Sequence, residues 1–127
     1  MVTIDYILAP GIETAYFDKL VKEMNIETAK SIIKTVAKYY DVPIEKVFKN
    51  GRDRPIATVR MVSSWFIRRK VNRLTLRQIS ELFGLVYYQR NGKYDHSAII
   101  HNINTVNGWL KVNDPIADDV KTLIKII

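Results

Sequence analysis

Apolar residues recur at every third or fourth position along most of this chain, and that spacing predicts amphipathic helices. The first such run reaches Met24, and we expect Asn25 to end that helix. A second helix is predicted from about Glu27 to Tyr40. Ahead of both, residues 4–8 are short and apolar and predict either an extended arm or a strand.

Proline and capping residues divide the following part of the chain. Pro43 starts a short predicted helix, and a long helix is predicted over residues 55–71. Thr75, with Gln78 three residues later, forms a capping box at the start of another helix. Gly84 suits the left-handed residue that ends this helix.

The ten residues 85–94 depart from the helical period. Residues 86–89 predict a strand, and Asn91-Gly92 predicts a hairpin turn. The helical period returns over residues 95–112, and a last helix is predicted over residues 115–127. The pattern as a whole predicts an all-α helical bundle with a small β-hairpin inserted into it.

The helices on either side of this hairpin carry the most informative chemistry. Asp95 is a predicted N-cap, because its carboxylate can accept from the free N–H groups of a first helical turn. His96, Ser97 and Ala98 would then present small groups at the exposed end of that helix. A short capped helix followed by a helix with a polar tip is the layout of a helix-turn-helix that reads DNA.

Positive charge is concentrated in one part of the chain. The net charge is +7, but residues 49–93 hold eleven basic and two acidic residues, a net +9 that leaves −2 elsewhere. Eight of the eleven basic residues are arginine. Such a block is typical of a surface that contacts a phosphate backbone. The alternative is a solvated basic face that aids solubility.

Other classes of function find less support in the residues. The sequence has no cysteine, which excludes disulfides and cysteine-ligated zinc and fits a cytoplasmic protein. His96 and His101 are five residues apart and do not share a helix face as paired metal ligands do. Neither paired carboxylates nor a nucleophile–base pair stands out, so we expect no metal, no cofactor and no catalysis. No apolar stretch approaches membrane-spanning length, so no membrane partner is expected.

Four segments resemble the C-terminal DNA-binding domain of DnaA, the bacterial chromosomal replication initiator. The segment Asp95-His96-Ser97-Ala98-Ile99-Ile100-His101 is similar to that family's Asp-His-Thr-Thr-Val-hydrophobic-His motif. Residues 33–40, 47–54 and 74–84 are similar to its first helix, to its short helix with a basic loop, and to the first element of its helix-turn-helix. The resemblance extends over residues 27–127 and implies an all-α domain that binds double-stranded DNA.

The resemblance also implies roles for individual residues. Arg52 occupies the place of an arginine that enters the minor groove. Arg60 matches an arginine early in the long helix that holds phosphate, and Arg68 matches a later basic residue that faces the DNA backbone. Four tip residues are implied in the major groove, namely Asp95, His96, Ser97 and Ala98.

The sequence departs from the family's pattern at several places. Met61 stands where the family has a glutamine beside the phosphate-binding arginine, and Ala98 replaces a threonine, which keeps a methyl group for thymine but removes a hydroxyl. Residues 85–94 stand where the family has a very short turn. The resemblance therefore does not extend to recognition of the DNA box that the family binds at the replication origin. No Gly-rich loop ending in Lys-Ser or Lys-Thr occurs, so this sequence does not predict the family's ATPase activity or origin unwinding.

Several residues have a functional and a structural interpretation side by side. Arg54 shares the basic loop with Arg52 and suits a narrow groove or a solvated loop. Arg77, at the start of the first motif helix, suits a phosphate contact or an ordinary exposed position. Arg90 and Lys93 predict a small wing that extends the DNA footprint, while the alternative is a hairpin whose tyrosines pack on the protein. His101 is predicted to face inward as a core residue.

The sequence therefore predicts a stand-alone, replication-initiator-like or regulatory protein that binds double-stranded DNA sequence-specifically. Residues 27–127 form the predicted reader domain, and residues 1–26 form an N-terminal extension. One alternative is a phage or mobile-element packaging or regulatory subunit with the same reader, assembled as a homo-oligomer through residues 1–40. A second is an adaptor whose basic block meets an acidic protein partner. A third is a nuclease or other enzyme that uses Asp95 and His96.

Overall fold

The structure, a computed structural model, describes residues 10–127, and the arm or strand predicted at residues 4–8 lies outside this part. The described elements follow one another in chain order as α1 (Pro10–Tyr39), α2 (Ile44–Val47), α3 (Arg54–Lys70), α4 (Leu76–Phe83), a 3-10 turn (Val86–Tyr88), β1 (Gln89–Arg90), β2 (Lys93–Tyr94), α5 (Ser97–Lys111) and α6 (Pro115–Ile126). The all-α prediction with a small inserted hairpin is confirmed.

The first helix is longer than the sequence pattern predicts. Asn25 lies inside α1 and does not end it, so the two helices predicted on either side of this residue form one helix of 30 residues. Asparagine costs less than about 1 kcal/mol relative to alanine inside a helix, and Ile26 beside it packs against the core. The helix crosses the boundary predicted between residues 26 and 27. The division of the chain into an extension and a domain stays a prediction.

The core forms around α3, which packs between α1 and α5. Ile33 of α1, Val59 and Phe66 of α3, and Ile99 of α5 are fully buried there. Each such side chain contributes about 1.5–3 kcal/mol when it is removed from water. The central position of α3 fixes where the loop before it and the helix α5 beside it stand.

The ends of α4 confirm the predicted capping chemistry. The hydroxyl of Thr75 accepts from the backbone N–H of Gln78 at 3.1 Å, and the Gln78 side chain accepts from the Thr75 N–H at 2.8 Å. Gly84 ends the helix at φ +63°, in the left-handed region. The first helix of the motif therefore has a defined start and a defined stop.

The inserted segment is a hairpin, but it begins differently from the prediction. Residues 86–88 form a 3-10 turn and not a strand, because Leu85 and Tyr88 are both buried. Residues three apart face the same side of a 3-10 turn but opposite faces of a strand. Antiparallel β1 and β2 follow, with Gln89 opposite Tyr94, and the predicted turn at Asn91 and Gly92 has positive φ at both residues.

The last helices also differ from the prediction in one detail. α5 begins at Ser97, and His96 occupies its cap position in right-handed helical conformation, so Asp95 precedes the cap and is not the N-cap. α6 begins as predicted, with the Asp114 carboxylate accepting from the Ile116 N–H at 3.0 Å. Within residues 10–127, every helix is too short or too polar to cross a membrane.

Candidate nucleic-acid interface

The helix-turn-helix is formed by α4 and α5, which pack against each other across the inserted hairpin. Three residues at the start of α5 reach the surface. His96 and Ser97 are exposed, and Ala98 is half-buried at the edge of the core. The structure therefore places a nitrogen heterocycle, a hydroxyl and a methyl group together at the tip of the second motif helix.

Asp95 organises this tip, although it does not cap the helix. One carboxylate oxygen accepts from the His96 backbone N–H at 2.7 Å and lies 3.0 Å from His96 Nδ1. The other oxygen accepts from the Ser97 hydroxyl at 2.9 Å. The Ser97 hydrogen bond is the main cause that lowers the pKa of Asp95 below its ordinary value. The carboxylate thus stays charged and holds both neighbours in place.

The hairpin brings two further basic residues close to the tip. Arg90 and Lys93 are exposed and lie opposite each other on β1 and β2. The Arg90 Nε lies 3.6 Å from the second carboxylate oxygen of Asp95. The hairpin and the α5 tip are therefore linked through one carboxylate.

The basic loop before α3 presents Arg52, whereas Arg54, predicted in this loop, is the first residue of α3, and both side chains are exposed. The guanidinium carbon of Arg52 lies 4.7 Å from the centre of the Tyr87 ring. This distance is within the range of a cation–π contact. Tyr87 belongs to the inserted segment, so the insertion touches the loop that carries the predicted minor-groove arginine.

Arg60 does not stand where a phosphate contact requires it, and this prediction is wrong. The side chain is 2% exposed. Its guanidinium donates to the Tyr87 hydroxyl and to four carbonyl oxygens, those of Lys46 and Val47 in α2 and those of Lys49 and Gly51 in the loop that follows. A guanidinium has five N–H groups, and all five are used here. Arg60 therefore holds the basic loop in shape from inside the protein.

His101 also differs from the prediction, since it is exposed and not part of the core. Ile99, Asn102 and Val106 are the buried residues of α5, and His101 is turned about 200° from Ile99 at 100° per residue. Its side chain lines a cleft of about 360 Å³ between the basic loop, α3, the insertion and α5. Arg52, Met61 and Ala98 line the same cleft.

Asn102 is a buried polar residue that the sequence pattern did not reveal as functional. Its amide nitrogen donates to the Ser64 hydroxyl at 3.2 Å and to the Tyr88 hydroxyl at 3.0 Å. Burial raises the pKa of Tyr88, so this hydroxyl stays protonated at neutral pH. The spacing of Asn102 between Ile99 and Val106 was the available signal that it faces inward.

The remaining predicted residues lie outside this cleft. Arg68 is exposed near the end of α3, and Arg77 is exposed on the first turn of α4. Arg69, beside Arg68, stacks on Trp65 with its guanidinium carbon 4.3 Å from the ring centre. Among the described residues, His, Cys, Asp and Glu side chains nowhere gather in threes at metal-binding distances.

Comparison with known proteins identifies one family model and several proteins that are similar to this chain. A family model described as the bacterial dnaA protein helix-turn-helix matches residues 29–106. The chromosomal replication initiator protein DnaA of Dechloromonas aromatica is 29% identical over 97 residues, which are 76% of this chain and 19% of that protein. The proteins of the same name from Neisseria meningitidis serogroup C and Neisseria gonorrhoeae are each 33% identical over 115 residues, or 90% of this chain.

The chain spans about a fifth of the length of the curated relatives that it matches. No solved structure matches it. The matched region contains α3, α4, the hairpin and most of α5, and therefore the whole of the surface described above.

Proposed function

Since the chain belongs to the bacterial DnaA helix-turn-helix family and so binds double-stranded DNA through that motif, we propose that it binds specific sequences by using both DNA grooves. The α5 tip contacts base edges in the major groove, while Arg52 enters the adjacent minor groove. One observation carries this proposal. Arg52 and Ala98, a residue of the first turn of α5, lie on the walls of a single cleft.

The chemistry of the tip supports major-groove contact. His96 offers a ring nitrogen, Ser97 a hydroxyl and Ala98 a methyl group, and these match the donors, acceptors and thymine methyl that base pairs present in that groove. Asp95 fixes the positions of His96 and Ser97 before any DNA is bound. Each well-made base contact is worth about 1–3 kcal/mol of discrimination.

The basic loop supports minor-groove contact. Arg52 is exposed at a loop whose backbone is held from inside by Arg60. Arginine is the side chain that narrow, electronegative minor grooves attract most often. Arg54, two residues on and also exposed, extends the same positive surface.

Exposed basic residues around the two groove contacts supply the phosphate contacts in this proposal. They are Arg54, Arg68, Arg77, Arg90 and Lys93. Arg90 and Lys93 are like charges that face each other across the hairpin, an arrangement that costs stability. A DNA backbone would neutralise both, so we include the hairpin in the footprint as a wing.

Selection of bound sites from a random duplex library tests the proposal. The wild-type chain should enrich one motif, His96→Ala should relax some of its positions, and Arg52→Ala should relax different, A·T-rich positions. Arg90→Ala with Lys93→Ala should lower the salt slope of binding by about two. Lys121→Ala, an exposed basic residue of α6, is the matched control and should leave the motif and the slope unchanged.

Failure to enrich any motif would contradict sequence-specific binding and favour the adaptor with an acidic partner. Unchanged affinity and salt slope in the hairpin variant would remove the wing from the footprint. We also propose a stand-alone regulatory or initiator-like role, which the enriched motif would test by its likeness to an initiator box.

A second candidate function has an observation in its favour. Tyr16, Phe17 and Met24 of α1 are large apolar side chains that are about half exposed or more. Such residues on one helix suit the homo-oligomer that a phage or mobile-element regulatory subunit would form. Sedimentation equilibrium of the wild-type chain and of a Phe17→Ser, Met24→Ser variant tests this. A monomer at every concentration would exclude it.

A further inference from the structure

We propose that Tyr87, a residue of the inserted hairpin segment, is a positioning residue that presents Arg52 to the minor groove. The inference rests on the proposed function, because it assigns Tyr87 a role in the minor-groove contact. It concerns the segment at residues 85–94, which joins α4 to α5. The inserted segment would then support Arg52 of the basic loop in addition to forming the wing.

The inserted segment is bonded to the loop at two successive residues. The Val86 backbone N–H donates to the Asn50 side-chain oxygen at 3.2 Å. The Tyr87 hydroxyl donates to the Gly51 carbonyl oxygen at 3.1 Å. The same hydroxyl accepts from the buried guanidinium of Arg60. Tyr87 is therefore fixed by the group that holds the loop in shape.

Arg52 rests on the ring that these bonds orient. Its guanidinium carbon lies 4.7 Å from the Tyr87 ring centre, and the Arg60 guanidinium carbon lies 5.7 Å from the same centre. Tyr87 is half-buried while Arg52 is exposed. The Arg52 guanidinium is thus supported by protein on the side of Tyr87, while the side chain as a whole stays accessible to a ligand.

Such support lowers the cost of binding. A free arginine side chain must give up much of its rotational freedom when it enters a groove. A side chain that already lies against a ring has given up part of that freedom before binding. The loss of Tyr87 should therefore weaken the contact that Arg52 makes and leave the contacts of the α5 tip unchanged.

The experiment uses a modified DNA base that changes the base edge in the minor groove and leaves the edge in the major groove as it is. Duplexes that the wild-type chain selects are remade with 2,6-diaminopurine in place of adenine, which adds the amino group that guanine presents in the minor groove. The ratio of the two dissociation constants is measured for the wild type and five variants: Arg52→Ala, Tyr87→Phe, Tyr87→Leu, the combination of Arg52→Ala with Tyr87→Leu, and Tyr40→Leu. Tyr40 is the matched control, a half-buried tyrosine that bonds Asp119 and not the loop.

For the wild type we expect diaminopurine to weaken binding about tenfold, the size of one mismatched position. Arg52→Ala and Tyr87→Leu should each reduce this penalty to about twofold or less. Their combination should reduce it no further, because both act on one contact. Tyr87→Phe should keep most of the penalty since the ring remains, and Tyr40→Leu should keep all of it.

The outcomes separate this inference from the proposed function. A wild-type penalty that Arg52→Ala leaves intact overturns the minor-groove role of Arg52, and the inference with it. A penalty that disappears in Arg52→Ala but persists in Tyr87→Leu overturns the positioning role alone.

A measurement on the wild type keeps the test valid if Tyr87→Leu fails to fold. Protons on the Arg52 side chain should show an upfield ring-current shift in the free protein. Side-chain resonances at random-coil positions would overturn the positioning role.

Discussion

The Asn102 amide nitrogen of α5 donates to the Tyr88 hydroxyl of the inserted segment at 3.0 Å, and both side chains are buried. The same nitrogen reaches the Ser64 hydroxyl of α3 at 3.2 Å. One amide therefore joins the second motif helix to the central helix and to the insertion. The angle at which α5 presents its tip depends on this junction.

Removal of the Asn102 amide should lower stability. Asn102→Ala leaves the buried Tyr88 hydroxyl without this donor and should cost about 2 kcal/mol in the free energy of unfolding. Urea unfolding measures the loss, and Asn104→Ala, an exposed change on the same helix, should stay within about 0.5 kcal/mol of wild type. In a double-mutant cycle with Tyr88→Phe, a coupling energy near zero would contradict the junction.

Because Arg60 is buried, its replacement should lower the stability of the protein before any effect on a DNA contact. Arg60→Ala leaves four carbonyl oxygens of α2 and the basic loop without their donor and should lower the free energy of unfolding by about 3 kcal/mol. Arg68→Ala, an exposed arginine of the same helix, should change it by less than about 0.5 kcal/mol. An Arg60→Ala chain with wild-type unfolding but reduced DNA affinity would restore the phosphate role.

The pKa of Asp95 should depend on the hydroxyl group of its neighbour Ser97. Ser97→Ala removes the main cause of the lowered pKa, so the pKa of Asp95 should rise toward its ordinary value of 3.8. Carbon NMR titration of the carboxyl resonance measures this change. Thr105→Ala removes a hydroxyl that bonds the His101 carbonyl on the same helix and should have no effect. An unchanged titration in Ser97→Ala would contradict the assigned cause.

The same carboxylate predicts a pH dependence of stability. Because folding lowers the pKa of Asp95, its contribution is fully present above the unfolded value and is lost as pH falls through the folded one. The wild type should therefore exceed Asp95→Asn in stability at neutral pH by more than it does well below pH 3.8. Urea unfolding at several pH values checks this. If the stability difference between the wild type and Asp95→Asn grew as the pH fell, the predicted direction would be wrong.

Two glycines predict opposite effects of the same substitution. Gly84 has φ +63°, so Gly84→Ala should cost about 1 kcal/mol through backbone strain. Gly108 lies inside α5, where an added Cβ meets nothing within 4 Å, so Gly108→Ala should add about 0.5–1 kcal/mol. Thermal melting compares the two variants. A shift of both in the same direction would contradict the assigned conformations.

The elements of this fold were predictable where local chemistry decides them. The Thr75–Gln78 capping box, Gly84 and the Asn91-Gly92 turn each specify their structure within a few residues. Asn25 shows the limit of such reasoning, because a weak helix breaker does not end a helix whose neighbours pack on a core. The same holds for residues 86–88, where the burial of Leu85 and Tyr88 overrides a strand-like composition.

The candidate site was predictable in outline and not in its internal contacts. The tip residues and the basic loop lie at the surface as expected. Arg60 is indistinguishable from an exposed arginine in the sequence, because its burial depends on a loop that folds back over α3. The stacking of Arg52 on Tyr87 joins residues 35 positions apart, and pattern analysis has no access to such a pair.

The hydrogen bonds that Arg60 makes to residues 46–51 all end on main-chain oxygens. Every amino acid has a main-chain oxygen, so these hydrogen bonds do not depend on which side chains occupy residues 46–51. Exposed positions such as Lys46 and Lys49 can accept many substitutions without collapse of the loop. This region is therefore suited to diversification, by natural drift or by a designed library, toward new target sequences on an unaltered frame.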